Sequence, residues 1–203
     1  LAAGILAMAA IVVASNILVQ YPIGQWLTWG AFSYPLAFLV SDLINRFQGA
    51  AAARRVVYAG LVVGLICSFI GTQIIGEFGP LVTLRIAVGS ALAFLTGQLL
   101  DIALFDRLRR AAWWRAPFLS TLLGSTADTA LFFTFAFSSG LIWLEPGNDV
   151  SWANAPVALL GLGPEVPLWV SLGVADFGVK LAVDLLALLP FRLAIAKYAA
   201  RVA

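Results

Sequence analysis

Apolar residues run along this chain in long blocks, without the alternation of a strand or the one-sided stripe of a helix on a soluble core. A bilayer-crossing helix needs ~20 such residues, and six blocks approach or exceed that length: 1–19, 29–47, 56–75, 81–105, 117–144 and 168–189. Helix-stopping residues stand between them. QYPIGQWL (20–27) is an uncharged turn with Pro and Gly, and Gly76-Glu77-Phe78-Gly79-Pro80 breaks the run after the third block. DRLRRAAWWR (106–115) closes the fourth, and a basic tail with Arg192, Lys197 and Arg201 follows the sixth. The longest connection, 145–167, is rich in Gly, Pro and Trp and has room for a short amphipathic or re-entrant piece. The predicted fold is therefore all-α: a polytopic membrane protein with a single domain over residues 1–203, built as a bundle of six transmembrane helices. The chain begins with Leu, so its native start is expected upstream. Residues 1–19 are too long and too bare of basic residues to read as a secretory signal.

Composition supports a lipid solvent. Hydrophobic residues make up 62% and charged residues 11%, against roughly 45–50% and 25% in a soluble domain, so no single packed core could hide the apolar surface. The net charge of +2 says little, but its distribution sets topology. The connections after the second and fourth blocks, with the tail, hold all Lys and Arg except Arg85 and Lys180. The connections after the first, third and fifth hold Glu77, Glu145, Asp149 and Glu165 and no base. The positive-inside rule then predicts both termini in the cytoplasm. Residues 28–55 hold the whole arrangement in small: boundary Trp residues, Pro35, one acid in an apolar run (Asp42), then arginines. With no His and one Cys, Cys67, imidazole catalysis, disulfides and thiol–metal clusters are excluded, and neither metal nor cofactor is expected.

Seven charged residues do not fit this scheme: Asp42, Asp101, Asp128, Asp176, Lys180, Asp184 and, nearer the outer surface, Arg85. An ionised group at the bilayer centre costs at least ~2.5–3.5 kcal/mol, so several together mark a polar pathway between helices. Asp128 and Asp176 lie deepest in their blocks, whereas Asp42 and Asp101 lie nearer the arginines. Asp176, Lys180 and Asp184 follow at i, i+4 spacings on one helix face, acid before base in the favourable order. The structural alternative is an internal ion pair that only lowers the insertion cost. The functional one releases Lys180 from a carboxylate as cargo or a proton arrives.

Other polar positions carry less. Gln98 and Asp101 share a face with Phe94 and Phe105, and the run Gly124–Thr129 packs small and hydroxyl residues around Asp128, where hydroxyls are mostly interhelical glue. Asn16 stands near a helix end, where bonding to a neighbouring carbonyl is the plain reading. Arg85 reads as snorkelling beside Glu77, with a gating role, shared with Asp42 and Asp184, as the alternative. Trp29 and Phe32 are the aromatics considered for stacking, against the default of an interfacial belt. Ala10-x-x-x-Ala14 would suit a partner helix. Residues 36–44 echo residues 92–100, which sets Asp42 and Asn45 against Gln98 and Asp101 and implies a parallel repeat.

These segments resemble a known family. ASNILVQ (14–20), TWGAFSYPLAFLVSDL (28–43), GAAAARR (49–55), RIAVGSALAFLTGQLLDIALFDRLR (85–109), WWRAPFLSTLLGSTADTALFFTFAF (113–137) and VADFGVKLAVDLLALLPF (174–191) are similar to the bacterial queuosine precursor transporters, in the vitamin-uptake-transporter-like group. The resemblance implies six helices in the bacterial inner membrane and uptake of 7-cyano-7-deazaguanine, with its aminomethyl relative as a second cargo, for tRNA modification. Two departures stand out: Arg46 and Gln48 occupy places where the family pattern has an acid and an aromatic, and the 145–167 connection is longer than expected. A 7-deazaguanine offers side-by-side N–H donors, a carbonyl acceptor and a flat face. Asp101 or Asp128 would accept from the donors, Gln98, Asn16 or Lys180 would serve the carbonyl, and an aromatic would stack. The expected partners are that small molecule and the lipid bilayer, with no nucleic acid. A homodimer and proton coupling are compatible with the sequence. The competing function is a substrate-binding subunit that needs a separate ATP-driven module. An intramembrane enzyme is disfavoured, because no His is available and no Gly-x-Gly-Asp element occurs.

Overall fold

The computed structural model describes residues 1–77 and 79–202, with side chains through Tyr198, so Phe78 and the side chain of Arg201 lie outside the described residues. The α-helices in chain order are α1 (Ala2–Leu18), α2 (Gly30–Ser33), α3 (Leu36–Gln48), α4 (Ala50–Gln73), α5 (Leu84–Leu108), α6 (Arg115–Phe137) and α7 (Leu168–Val202). Three small antiparallel hairpins close the connections: β1 (Pro22–Ile23) with β2 (Leu27–Thr28), β3 (Ile75–Gly76) with β4 (Gly79–Pro80), and β5 (Pro156–Ala158) with β6 (Glu165–Pro167). Short 3-10 turns fill much of the segment between α6 and α7. The fold is all-α.

Among the described residues three helices, α4, α5 and α6, are long and apolar enough to cross a membrane. The others depart from that standard for visible reasons. α1 is apolar but has 17 residues. α7 has 35, about 52 Å at 1.5 Å per residue, but carries Asp176, Lys180 and Asp184 in its first half.

The second apolar block is not one helix. Pro35 lacks the N–H that would continue the ladder, so α2 makes a single turn and α3 restarts at Leu36. α4 begins at Ala50 rather than residue 56, since AAAARR is a strong helix former. Only Gly49 (φ 84, ψ 167) separates it from α3, in a region of backbone space that is essentially open to glycine alone. α6 stops at Phe137, where Ser138 turns extended, and residues 139–144 continue as 3-10 turn. α7 runs through Pro190 into the basic tail instead of stopping near residue 189.

α3 is the hub, in contact with α1, α4, α5, α6 and α7. Its Ala37, Phe38, Ser41, Asp42 and Asn45 are all buried. Met8 and Val12 of α1, Ala53, Val56 and Val57 of α4, and Phe94 and Ile102 of α5 pack around it. A second cluster, Phe105, Ala116 and Phe191, joins α5, α6 and α7 at the arginine-bearing end. Where lipid is the solvent, helices associate by close packing rather than by hydrophobic exclusion, which favours small residues at crossings. α5 and α6 meet in this way: a Cβ on Gly97 would lie 2.9 Å from the Gly124 carbonyl, and one on Gly124 would lie 2.8 Å from the Gly97 carbonyl. Val62, Ile66, Phe69 and Ile70 of α4 and Leu185, Leu186, Leu189 and Leu193 of α7 are exposed, an outward apolar belt suited to acyl chains.

Candidate functional site

A cavity of about 600 Å³ opens among the helices. Its mouth is edged by the β1–β2 hairpin (Pro22, Gly24, Gln25, Trp26), Leu81 and Val82 before α5, and Trp152. Its walls are largely apolar and aromatic, with Phe94 of α5 and Phe132, Phe133 and Phe137 of α6. Its far end is polar: Tyr34, Asp128, Asp176 and Lys180. The volume falls within the ~300–1,000 Å³ usual for small-molecule sites.

The polar end is a network closed on Lys180. The Lys180 ammonium donates to Asp128 Oδ2 at 2.7 Å and to Thr129 Oγ1 at 2.9 Å, and it also pairs with Asp176 Oδ2 at 2.7 Å. All three of its hydrogens are thereby in use. Tyr34 donates its hydroxyl to Asp128 Oδ1 at 2.7 Å, with its ring 5.2 Å from the ammonium. Thr129 donates onward to Asp176 Oδ2 at 3.3 Å. Asp128 is thus engaged at both oxygens, while contacts among the described residues reach Asp176 only at Oδ2. Two carboxyl groups against one ammonium put hydrogen-bond acceptors in excess at the edge of the cavity. The i, i+4 spacing on α7 anticipated the Asp176–Lys180 pair; the α6 partner is what the fold adds.

A second polar cluster lies beyond the first, among α3, α5, α6 and α7. The Thr121 hydroxyl reaches Asp101 Oδ1 at 3.1 Å and Asp42 Oδ2 at 3.4 Å, and Ser125 donates to Asp184 Oδ2 at 3.3 Å. Ser41 donates to Gln98 Oε1 at 2.7 Å, and Asn45 donates to the Ile102 carbonyl at 3.1 Å. The contacts 41 to 98 and 45 to 102 show α3 and α5 running parallel, the disposition that the sequence echo between them implies. Asp101 and Gln98 are fully buried and stand apart from the cavity lining. Nearer the chain's basic end, Arg109 donates to the Asn45 carbonyl at 2.6 Å while Arg46 donates to the Arg109 carbonyl at 2.9 Å, a reciprocal clamp between α3 and the end of α5.

The remaining candidates fall elsewhere. Asn16 lines the cavity and donates one N–H to the Val12 carbonyl at 2.9 Å. Trp29 and Phe32 lean on each other at 6.2 Å between ring centres, exposed and outside the cavity lining. Arg85 does not snorkel beside Glu77. It is buried and donates from Nε to the Phe135 carbonyl at 3.0 Å and from Nη2 to the Ser138 carbonyl at 2.6 Å. The carboxylate at its helix end is Glu145, which accepts from the N–H groups of Leu84 and Arg85. A carboxylate suits a helix N-terminus, whose first N–H groups lack intrahelical partners. Sequence reasoning missed Tyr34 and the Phe94, Phe132 and Phe133 wall. The signal available for Tyr34 was a phenol inside an apolar block, next to the proline that breaks it.

The chain matches the family model described as "Putative vitamin uptake transporter" over residues 28–195. It is 34% identical over 195 residues to the "Queuosine precursor transporter" of Escherichia coli K12, covering 89% of this chain and 79% of that protein. It is 34% identical over 170 residues to the "Probable queuosine precursor transporter" of Haemophilus influenzae, covering 71% of each. A Bacillus subtilis protein of the same description is 29% identical over 186 residues, covering 81% of this chain and 70% of that protein. No solved structure matches the chain. With relatives named as transporters over most of its length and helices apolar enough to cross a bilayer, this is a multi-pass membrane transport protein rather than an enzyme, and it belongs to the family of the queuosine precursor transporters.

Proposed function

We propose that this chain imports a queuosine precursor, 7-cyano-7-deazaguanine or its 7-aminomethyl form, across a bacterial inner membrane by alternating access. The observation that carries the reading is the cavity itself: flat aromatic walls that end on a carboxylate-rich polar floor. Asp176, whose Oδ1 meets no donor among the described residues, accepts the paired N–H groups of the heterocycle, and Phe94, Phe132 or Phe133 stacks on its face. Lys180 has no hydrogen to spare, so it serves the cargo carbonyl only by leaving Thr129 or a carboxylate. Asn16 keeps a second N–H for the same carbonyl. Asp128 and Tyr34 hold Lys180 in place, whereas Gln98 and Asp101 belong to the deeper cluster. In this reading six spans cross the membrane, with α2 and α3 together making the second. Both termini are cytoplasmic and the cavity mouth faces outward. Proton coupling and a homodimer are compatible with the arrangement, and the cavity needs neither to bind its cargo.

Labelled 7-cyano-7-deazaguanine and proteoliposomes holding this chain alone provide the test. Saturable uptake is expected, with loss in Asp176→Asn and Lys180→Met. Uptake only in the presence of an added ATP-driven subunit would replace the carrier with a substrate-binding module. Full uptake by both variants would move the site away from this cavity.

A further inference from the structure

Beyond the cavity floor lies a second site with a different chemistry. Asp42 on α3 and Asp101 on α5 are 3% and 0% exposed. Thr121 touches one oxygen of each. The other oxygens, Asp42 Oδ1 and Asp101 Oδ2, find no donor hydrogen among the described residues. One hydroxyl in contact with an oxygen of each, 3.1 Å from Asp101 and 3.4 Å from Asp42, sets the two carboxyl groups side by side, while Ser120 donates to the Pro117 carbonyl.

Carboxylates only accept, and the Thr121 hydroxyl brings one hydrogen, enough for one of the two carboxyls. Thr121 Oγ1 lies between the carboxyls, so its contact with the second is a hydrogen bond only when that carboxyl carries a proton and donates it. Two buried carboxylates in contact with no such proton would repel at close range in a poorly screened medium. The charged groups facing the pair are few. α7 brings Asp184, held by Ser125, with Lys180 one turn above it already committed to Asp128 and Asp176. α6 brings hydroxyls only, and Arg54 and Arg55 of α4 are exposed. A small void of about 10 Å³, lined by Asp42, Thr121 and Asp184 amid Leu39, Leu188 and Phe191, lies beside the pair. That is roughly the space of one water, the minimum a hopping proton needs.

We propose that Asp42 and Asp101 form a shared-proton site, separate from the cargo cavity, and that the proton it carries is the coupling ion of transport. The step is a simple transfer: one proton enters from water on one side, resides between the carboxyls, and leaves to water on the other. Asp184 and Ser125, between the pair and Lys180, provide the intermediate acceptor and donor that link this site to the cavity floor. The inference rests on the transport reading above.

The full chain in proteoliposomes with a trapped pH-sensitive dye, and 7-cyano-7-deazaguanine as the probe, tests it. Adding the heterocycle outside is expected to acidify the lumen, and an inward gradient of one pH unit should raise accumulation by up to about tenfold for one proton per cargo. Asp101→Asn keeps a hydrogen for Asp42 but none that can leave. That variant, and Asp42→Asn, should still exchange labelled for unlabelled heterocycle, without acidification or gradient-driven accumulation. Cargo movement by the wild-type chain with no proton flux overturns the inference alone. So does full gradient-driven accumulation by both variants. Absence of any exchange by the wild-type chain overturns the transport reading and takes the inference with it. Wild-type flux decides the matter by itself should either variant fail to fold.

Discussion

Lys180 is the residue on which the candidate site turns, because it alone balances Asp128 and Asp176 at the cavity floor. Removing one partner from a buried ionic network leaves charge without compensation, at a cost of ~3–5 kcal/mol. Lys180→Met is therefore expected to lower the unfolding temperature in detergent as well as to abolish uptake. The two acids should differ. Asp128 accepts from both Tyr34 and Lys180 and its side chain is 4% exposed, whereas Asp176 is 17% exposed and keeps one oxygen for the cavity. Asp128→Asn should accordingly cost more stability than Asp176→Asn, while Asp176→Asn should show its main loss in cargo affinity. Thermal unfolding and uptake measured side by side check this, and equal effects in both assays would sink the division of roles. Tyr34→Phe removes one hydrogen bond to a charged acceptor, about 1.5–3 kcal/mol, with the ring and its packing retained. Charges were legible in the sequence because an acid in an apolar block has few structural excuses. Tyr34 was not, because a phenol fits such a block for packing alone. Trp29 and Phe32 lie outside the lining of this cavity, and closeness to the membrane boundary says nothing about which way a ring points.

At the scale of elements, glycine decides two junctions in opposite ways. At Gly97 the obstacle is contact. A Cβ there would meet the Gly124 carbonyl and the Asp128 Cβ, each at 2.9 Å. Backbone cannot swing aside as a side-chain tip can, so α5 and α6 must part by a few tenths of an ångström, and overpacking of this kind costs ~1–3 kcal/mol. Gly97→Ala also pushes on the residue that holds Lys180, so uptake should fall further than the stability loss accounts for. At Gly49 nothing lies within 4 Å of a built Cβ, and the obstacle is its φ of +84° alone. Gly49→Ala should cost ~1–3 kcal/mol through backbone strain and leave cargo affinity unchanged in the folded fraction. A binding assay on detergent-purified protein separates the two cases. Helix identity was readable from block length and composition. The ends were less so, since AAAARR and the segment after Pro190 are polar enough to look like connections yet are good helix formers. The breaks at Pro35 and Ser138 depended on local backbone geometry that no apolar count registers.

At the scale of the molecule, the hairpins and the arginines other than Arg85 sort to opposite ends. Gln25 and Trp26 edge the cavity mouth, and Glu145 caps α5 at the same end. Beyond the two polar clusters, the Arg46–Arg109 clamp and the Phe105–Phe191 contact close the other end. The exposed residues of the cavity lining lie at the hairpin end, and its polar floor lies away from it. Under the positive-inside reading of the chain, the hairpin end faces outward. In a Cys67→Ser background, cysteines replacing the exposed Gln25 and Glu165 should react with a membrane-impermeant thiol reagent on intact cells. Those replacing the exposed Arg54 and Arg110 should react only after permeabilisation. A cysteine at Asn16, inside the cavity, should react from outside and be shielded by 7-cyano-7-deazaguanine. The reverse pattern at the four exposed positions would turn the molecule over in the membrane. Unshielded labelling at position 16, with transport intact, would mean that the cargo takes another route through the bundle, since no molecule seated between Phe94 and Asp176 could leave that wall of the cavity unchanged.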